Sequence, residues 1–252
     1  MRIQTMHDKL YYDDRYVQPN YFRYREWLYR PYVSSLISFS GLKAGSVVLD
    51  VGCGQGFFSY LLSKCGTRVH GVDISETGIM AAQNLYGRYG ITFEVADIGA
   101  TEFASKFDVI FVRSCSLYNT ESFVSDDEIT RRLLRYLKDD GIFIFAYNSA
   151  FSSKTSPGWR YHSLHDVAEH FRKYSNKSIF FCNKIDTWLF RRYAFSSFVT
   201  RLNALLSKLF GIRGELICVL RGPREAQLQN GQKASGGTNA GPSGEAKPVP
   251  SR

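Results

Sequence analysis

The chain has 252 residues, 44% of them hydrophobic, and 32 Lys+Arg against 23 Asp+Glu give a net charge of +9. That length suits one domain with a decorated core, and no run approaches the roughly 18–20 apolar residues of a membrane span. Five cysteines at 53, 65, 115, 182 and 218 lack C-x-x-C spacing, so they read as buried or incidental thiols in a reducing compartment, and no metal site is expected. The N-terminal MRIQTMHDKLYYDD lacks the apolar core of a secretory signal, so cytoplasm is the expected location.

Residues 1–44 begin with an aromatic, basic segment: Tyr11, Tyr12, Arg15, Tyr16, then YFRYREWLYR at 21–30. We expect a helical lid whose tyrosines, Tyr16 among them, close on a ligand or stack on a substrate while excluding water. Phe22, Trp27, Leu28, Val33, Leu36 and Ile37 would dock an amphipathic helix on the domain behind it. Interleaved aromatics and arginines also suit nucleic-acid stacking, and that alternative stays open.

An apolar strand, Val47 to Val51, runs into Gly-Cys-Gly-Gln-Gly and then a helix over 57–66. Gly52, Gly54 and Gly56 lack a Cβ, so the backbone can turn left-handed and approach a ligand closely. The Gly-Lys-Ser/Thr of a phosphate-binding Walker loop is absent. The glycine spacing is G-x-G-x-G rather than the dinucleotide G-x-G-x-x-G. A second strand, Arg68 to Asp73, ends in an acid where a doubly wound sheet places a carboxylate on ribose hydroxyls. Ser75 caps a helix through Tyr89. A third strand, Ile91 to Ala96, again ends in an acid, Asp97. A fourth strand, Phe107 to Val112, leads into RSCSLYN at 113–119. A helix over about 126–138 and a strand over 142–147 follow. Strand–helix alternation of this kind implies a parallel sheet with helices on both faces.

The run VLDVGCGQG, then GVDIS, ADI, FDVIFV and GIFIFAY, in this order over residues 45–150, resembles the class I S-adenosylmethionine-dependent methyltransferases of small-molecule type. The resemblance implies a doubly wound, seven-stranded, mostly parallel α/β sheet, Rossmann-like, with an N-terminal helical lid and a helical insertion before the last strand. It implies that Asp50, Gly52, Cys53, Gly54 and Gly56 surround the methionine portion of S-adenosyl-L-methionine. Asp73 would hold the ribose, with Ile74 packing on the adenine. Asp97 would accept from the adenine amino group, with Ile98 supplying an amide. Arg113 to Ser116, Ser114 included, would pass beside the sulfonium. The domain would span 45–222, leaving a Gly-, Ser- and Pro-rich tail at 223–252 expected to be disordered. The 45–150 segment carries 9 Lys+Arg against 13 Asp+Glu in an otherwise basic chain, which suits a cationic donor.

The loop after the fourth strand has neither proline of the Asn/Asp-Pro-Pro-Tyr/Phe motif that amino methyltransferases of adenine or glutamine resemble one another in. A covalent role for Cys115 is disfavoured for want of a neighbouring proline. Direct displacement remains, governed by positioning and dehydration of the acceptor. Candidate bases lie past the fifth strand, at His162 and His165. Tyr118, Trp159, Arg160 and Tyr161 are candidates to line the acceptor site with Tyr16. Ser163 reads as the N-cap of a helix over 164–174, which makes His165 an ordinary helix residue in the competing reading.

After a sixth strand over 178–185, residues 195–210 place Phe195, Phe198, Val199, Leu202, Leu205, Leu206, Leu209 and Phe210 at helical spacing, flanked by Arg191, Arg192 and Arg213. Such a helix packs on the domain, seals a dimer or touches a membrane peripherally. The last strand, Glu215 to Leu220, would insert antiparallel beside the sixth, as the resemblance implies. The expected activity is methyl transfer to a small-molecule or glycan-type acceptor at oxygen. RNA or protein methylation, favoured by the basic flanks, and non-catalytic cofactor binding are the alternatives; oligomeric state is left open.

Overall fold

A computed structural model describes residues 2–119, 123–150, 159–174, 176–211 and 214–223. The expected disordered tail therefore lies, from residue 224, outside the described residues, as do Arg213 and Ser156–Gly158. Seven apolar runs form one sheet in the order β3-β2-β1-β4-β5-β7-β6. The strands are β1 (Val47–Val51), β2 (Arg68–Asp73), β3 (Thr92–Val95), β4 (Phe107–Arg113), β5 (Leu137–Asn148), β6 (Lys177–Cys182) and β7 (Glu215–Arg221). The first five pair in parallel, and β7 inserts antiparallel between β5 and β6. The doubly wound, mostly parallel sheet read from the sequence is the observed one.

Alternation along the strands divides the core into two layers. Val48, Val109, Phe111, Ile144, Ile217 and Val219 face one side. There they meet α2 (Glu26–Ser40), α3 (Phe57–Lys64) and α4 (Glu76–Tyr86). Leu49, Ile110, Phe143, Phe145, Cys218 and Leu220 face the other, against α5 (Phe123–Arg135) and α6 (Leu164–His170). Strands buried on both faces must be apolar throughout, which is why they read as continuous hydrophobic runs.

Several boundaries differ from expectation. The helix expected over 126–138 stops at Arg135, because Leu137 already pairs with Phe107 at the start of a longer β5. The sixth strand ends at Cys182 rather than 185: Asn183 forms a capping box with Asp186 and starts α7 (Lys184–Leu189). Ser163 and Asp166 form a second capping box, and α6 ends at His170 rather than 174.

The helical insertion closes with α8 (Ser197–Phe210), which packs on β6 by an unexpected side. Its buried residues are Val199, Asn203 and Ser207. Asn203 donates to the Asp186 carboxylate at 2.5 Å and to the Phe181 carbonyl at 3.4 Å. The apolar stripe instead leaves Phe198, Leu205, Leu209 and Phe210 more than half exposed. Among the described residues no helix is long and apolar enough to cross a membrane.

Asn203 therefore ties α8 to α7 through a buried carboxylate. Asn203→Ala removes a donor from Asp186 and lowers unfolding stability by about 1–3 kcal/mol, read from a urea titration with unchanged slope.

Candidate active site

The loop from β1 to α3 is built on three left-handed glycines, with φ of 72° at Gly52, 52° at Gly54 and 78° at Gly56. Gly52 and Cys53 both donate their amides to the Val72 carbonyl, at 2.8 and 3.0 Å. Gly54 donates to Asp73 Oδ2 at 2.8 Å, and the Ser75 amide reaches Asp73 Oδ1 at 2.9 Å. One carboxylate at the end of β2 thus holds the glycine loop and the start of α4 together. Each of its oxygens retains acceptor capacity for a ligand hydroxyl.

These loops open a cavity of about 1130 Å³, its mouth included. Gly52, Cys53 and Gly54 form one wall, Asp73 and Ile74 the next, Asp97 and Ile98 the far end, and Arg113 and Ser114 the near end. Asp97 Oδ1 accepts from the Gly99 amide at 2.8 Å, which leaves Oδ2 for a ligand donor. Ser114 adopts φ 48°, a left-handed angle uncommon for a residue with a Cβ, and its amide donates to the Ala146 carbonyl at 2.9 Å. The carboxylates at the ends of β2 and β3, beside the backbone wall that follows β1, offer acceptors to a ligand's hydroxyl and amino groups.

Two of the expected cofactor residues stand elsewhere. Asp50 lies beneath the loop, buried, and accepts from the Ser59 hydroxyl at 2.6 Å. Gly56 faces α4 and β3: a Cβ there would come within 2.8 Å of Ala82 Cβ and of Phe93 Cζ. Both shape the loop from behind and line no part of the cavity.

The N-terminal segment covers the loop. In α1 (Arg2–Tyr16), Asp13 accepts from the Ser75 hydroxyl and the Thr77 amide, at 2.6 and 3.1 Å, at the start of α4. Tyr16 lies over Gly54, its hydroxyl 2.7 Å from where a Cβ would stand. The Gln55 amide donates to the Tyr16 and Gln18 carbonyls at 3.0 and 2.9 Å and accepts from the Tyr21 amide at 2.9 Å. Nothing in the sequence singles out Gln55 or Asp13 for these roles.

A second, wider cavity of about 2200 Å³, again counting its mouth, adjoins the first. Phe22, Tyr24, Arg113, Ser114 and Trp159 line both. Beyond that shared wall it is faced by Tyr29, Tyr32, Tyr161, Lys184 and Glu215. Arg113 is buried: it forms an ion pair with Glu215, donates to the Tyr24 hydroxyl at 3.1 Å and lies 4.1 Å from the Phe58 ring centroid. Tyr32 also donates to Glu215, at 3.1 Å. Burial pushes the Tyr29 phenol up to about 12 and raises those of Tyr24 and Tyr32, so all three remain protonated. The half-buried Lys184 ammonium lies 4.5 Å over the Tyr29 ring, and burial lowers its pKa. Glu215 and Lys184 were not among the expected site residues, although a lone acid heading the apolar run LICVL was a signal.

Four expected residues lie outside the lining of both cavities. His162 is fully buried behind β5, its ring 4.7 Å from that of Tyr147, and lines neither cavity. Burial, aided by the charge of Arg160, pushes it down to about 3, leaving a weakly basic packing residue. His165 sits exposed in the first turn of α6, away from both cavities. Tyr118 is wholly in the core, its hydroxyl 2.9 Å from Thr130 Oγ1. Arg160 lines neither cavity, and its amide donates to Asn119 Oδ1 at 2.7 Å. Tyr16, Trp159 and Tyr161 do line cavity walls, and Cys115 is buried against Gly52.

Burial pushes Asp50 up to about 7, Asp73's charge adding to this and the Ser59 hydrogen bond opposing it. An unfolded aspartate titrates near 3.9, so the native state holds a proton that the unfolded chain has already released. This contribution to stability is full below about pH 4 and is lost as pH rises through 7. Asp50→Asn should remove that dependence, so its melting temperature gains on the wild type between about pH 5 and pH 8.

The sequence model of a methyltransferase-domain family matches residues 42–193. Over 136 residues the chain is 32% identical to phosphoethanolamine N-methyltransferase 1 of Zea mays, covering 50% of this chain and 26% of that protein. It is 32% identical over 107 residues to a ubiquinone biosynthesis O-methyltransferase of Pseudomonas fluorescens strain SBW25, covering 41% and 44%. The chain thus spans less than half the length of these curated relatives. Among solved structures it resembles the N-methyltransferase NodS from Bradyrhizobium japonicum WM9 in complex with S-adenosyl-L-homocysteine. The TM-score there is 0.62 at 17% identity, over 86% of this chain and 98% of that one, a likeness of fold. With the family match over residues 42–193 and the glycine loop and sheet order in place, the chain belongs to the methyltransferase-domain family, of the class I S-adenosylmethionine-dependent kind.

Proposed function

We propose that this domain moves a methyl group from S-adenosylmethionine to a small-molecule acceptor in the second cavity, at oxygen, by direct displacement. The observation that carries the reading is the wall shared by the two cavities, Tyr24, Arg113, Ser114 and Trp159 with Phe22. The two cavities adjoin there, so a donor in the first would lie next to an acceptor in the second. When bound, the cofactor supplies a methyl group made electrophilic by its sulfonium.

The residues of this chain then bind, orient and exclude water. Asp73 would accept from the ribose and Asp97 from the adenine amino group, with Ile74 packing on the base and Ile98 supplying an amide. Tyr16 and the segment fastened by Gln55 keep water from the methyl group. Glu215 neutralises Arg113; an unpaired guanidinium there would repel a cationic donor. The Tyr24 and Tyr29 phenols stay protonated and would meet the acceptor as donors, not as bases, while Tyr32 already donates to Glu215. Neither cavity is lined by a histidine among the described residues; the reading rests on positioning and desolvation of the acceptor, whose hydroxyl proton would pass to solvent at the mouth of the second cavity. Lys184, the ammonium at the edge of this aromatic cavity, would meet an acidic or hydroxyl group of a small-molecule or glycan-type acceptor.

The test is transfer of radiolabelled methyl from S-adenosylmethionine into an extract sorted into small-molecule, glycan, lipid, RNA and protein pools. Label in a small-molecule, glycan or lipid pool is the expected result. Label confined to RNA or protein, or none despite cofactor binding, overturns it. In the same assay Lys184→Met should raise the acceptor KM several-fold and leave cofactor affinity unchanged. By calorimetry, Asp73→Ala should weaken cofactor binding by about 1–3 kcal/mol, the cost of unpaired hydroxyl partners.

A further inference from the structure

The insertion formed by α7 and α8 is turned inside out relative to an ordinary surface helix. Across α8, Phe198, Leu202, Leu205 and Leu209 follow the spacing of one helical stripe, and three of the four are more than half exposed. Arg201 and Lys208 border that stripe, both exposed. The side facing β6 is the more polar one, Val199, Asn203 and Ser207. In α7, Ile185, Trp188 and Leu189 are likewise more than half exposed, and Trp188 meets the exposed Trp27 edge-on at 6.3 Å. These four residues also line the second cavity. The cavity mouth therefore opens among exposed apolar side chains.

The charges around this surface have one sign. Residues 177–211 contain six Lys+Arg and a single acid, Asp186, which is buried against Asn203. Glu26, on α2 near Trp27, is engaged by the Tyr60 hydroxyl at 3.2 Å and by Arg30 at 4.0 Å. A second copy of this chain is a poor occupant: a twofold interface sets a patch against itself and would bring the basic border of one copy toward the basic border of the other with no exposed acid of the insertion between. The complement is a surface that is apolar within and anionic at its boundary. Trp and Tyr at the margin suit such a boundary, where one end of the ring is apolar and the other wet.

We propose that the α7–α8 face docks on an anionic membrane surface. The stripe of α8 enters the headgroup–acyl boundary, Arg201 and Lys208 meet anionic headgroups, and Trp27 and Trp188 hold the second cavity at the lipid interface. If that cavity is the acceptor site proposed above, its substrate is amphiphilic and reaches it from the bilayer. Docking itself does not depend on that reading.

The experiment is co-sedimentation of the full chain with vesicles of phosphatidylcholine alone and of phosphatidylcholine with phosphatidylglycerol. Binding to the mixed vesicles, weakened by salt and at least about tenfold weaker on phosphatidylcholine alone, is expected. Arg201→Glu with Lys208→Glu should cost at least about tenfold in vesicle affinity, as should Phe198→Ser with Leu209→Ser. These side chains are exposed, so melting temperature and cofactor affinity should stay unchanged in both variants, separating lost docking from lost folding. Absence of binding to mixed vesicles, or binding indifferent to both variants, overturns the proposal. So does a dimer in sedimentation velocity that the Phe198→Ser, Leu209→Ser variant dissolves, since a second copy would then cover the face.

Discussion

A guanidinium buried at the end of a central strand must find a partner, because an unpaired charge in that setting is strongly destabilising. Arg113 finds Glu215, the first residue of the antiparallel strand β7. That pair joins β4 and β7 across the intervening β5. Tyr24 and Tyr32 complete it, so the segment before the first strand is drawn onto the same point. The wall between the two cavities is consequently made from three distant parts of the chain, and its net charge is near zero. A donor carrying a positive sulfur can stand beside it.

The cofactor side depends on a smaller device. Asp73 ends β2 and takes one amide from the glycine loop and one from the start of α4. Left-handed glycines let that loop pass close to its neighbours, and the geometry is shared with Gln55 and Asp13, which fasten the N-terminal helix above it. Polar side chains here bind backbone groups of other segments far more than one another. The covering helix is thus registered to the cavity and to no single partner residue.

At the second cavity, the same insertion that supplies Lys184 and Trp188 to its lining also presents the exposed stripe of α8. Its attachment is polar, through Asn203 and Asp186, which frees the apolar side. Binding chemistry and surface chemistry are therefore two faces of one element. A change in that insertion would alter both.

Strands buried on both faces, glycines before a helix and acids at strand ends are local patterns, and they were legible. The sheet, the order of elements and the residues Gly52, Gly54, Asp73 and Asp97 at the first cavity follow from them, because backbone geometry and side-chain period act over a few residues. Asp50 and Gly56 belong to the same motif yet lie behind the loop, since a motif names positions and not the direction each side chain takes. His162 and Tyr118 have the chemistry of site residues but were drawn into the core by packing from β5 and α5. Glu215 and Gln55 became site-forming through contacts with residues more than thirty positions away. The amphipathic period of α8 was plain in the sequence; which side faces the protein was decided by one buried asparagine meeting one buried carboxylate. Period and turn chemistry are local and were determined by the sequence itself, whereas burial, charge pairing and the choice of face arise only when distant segments compete for the same space.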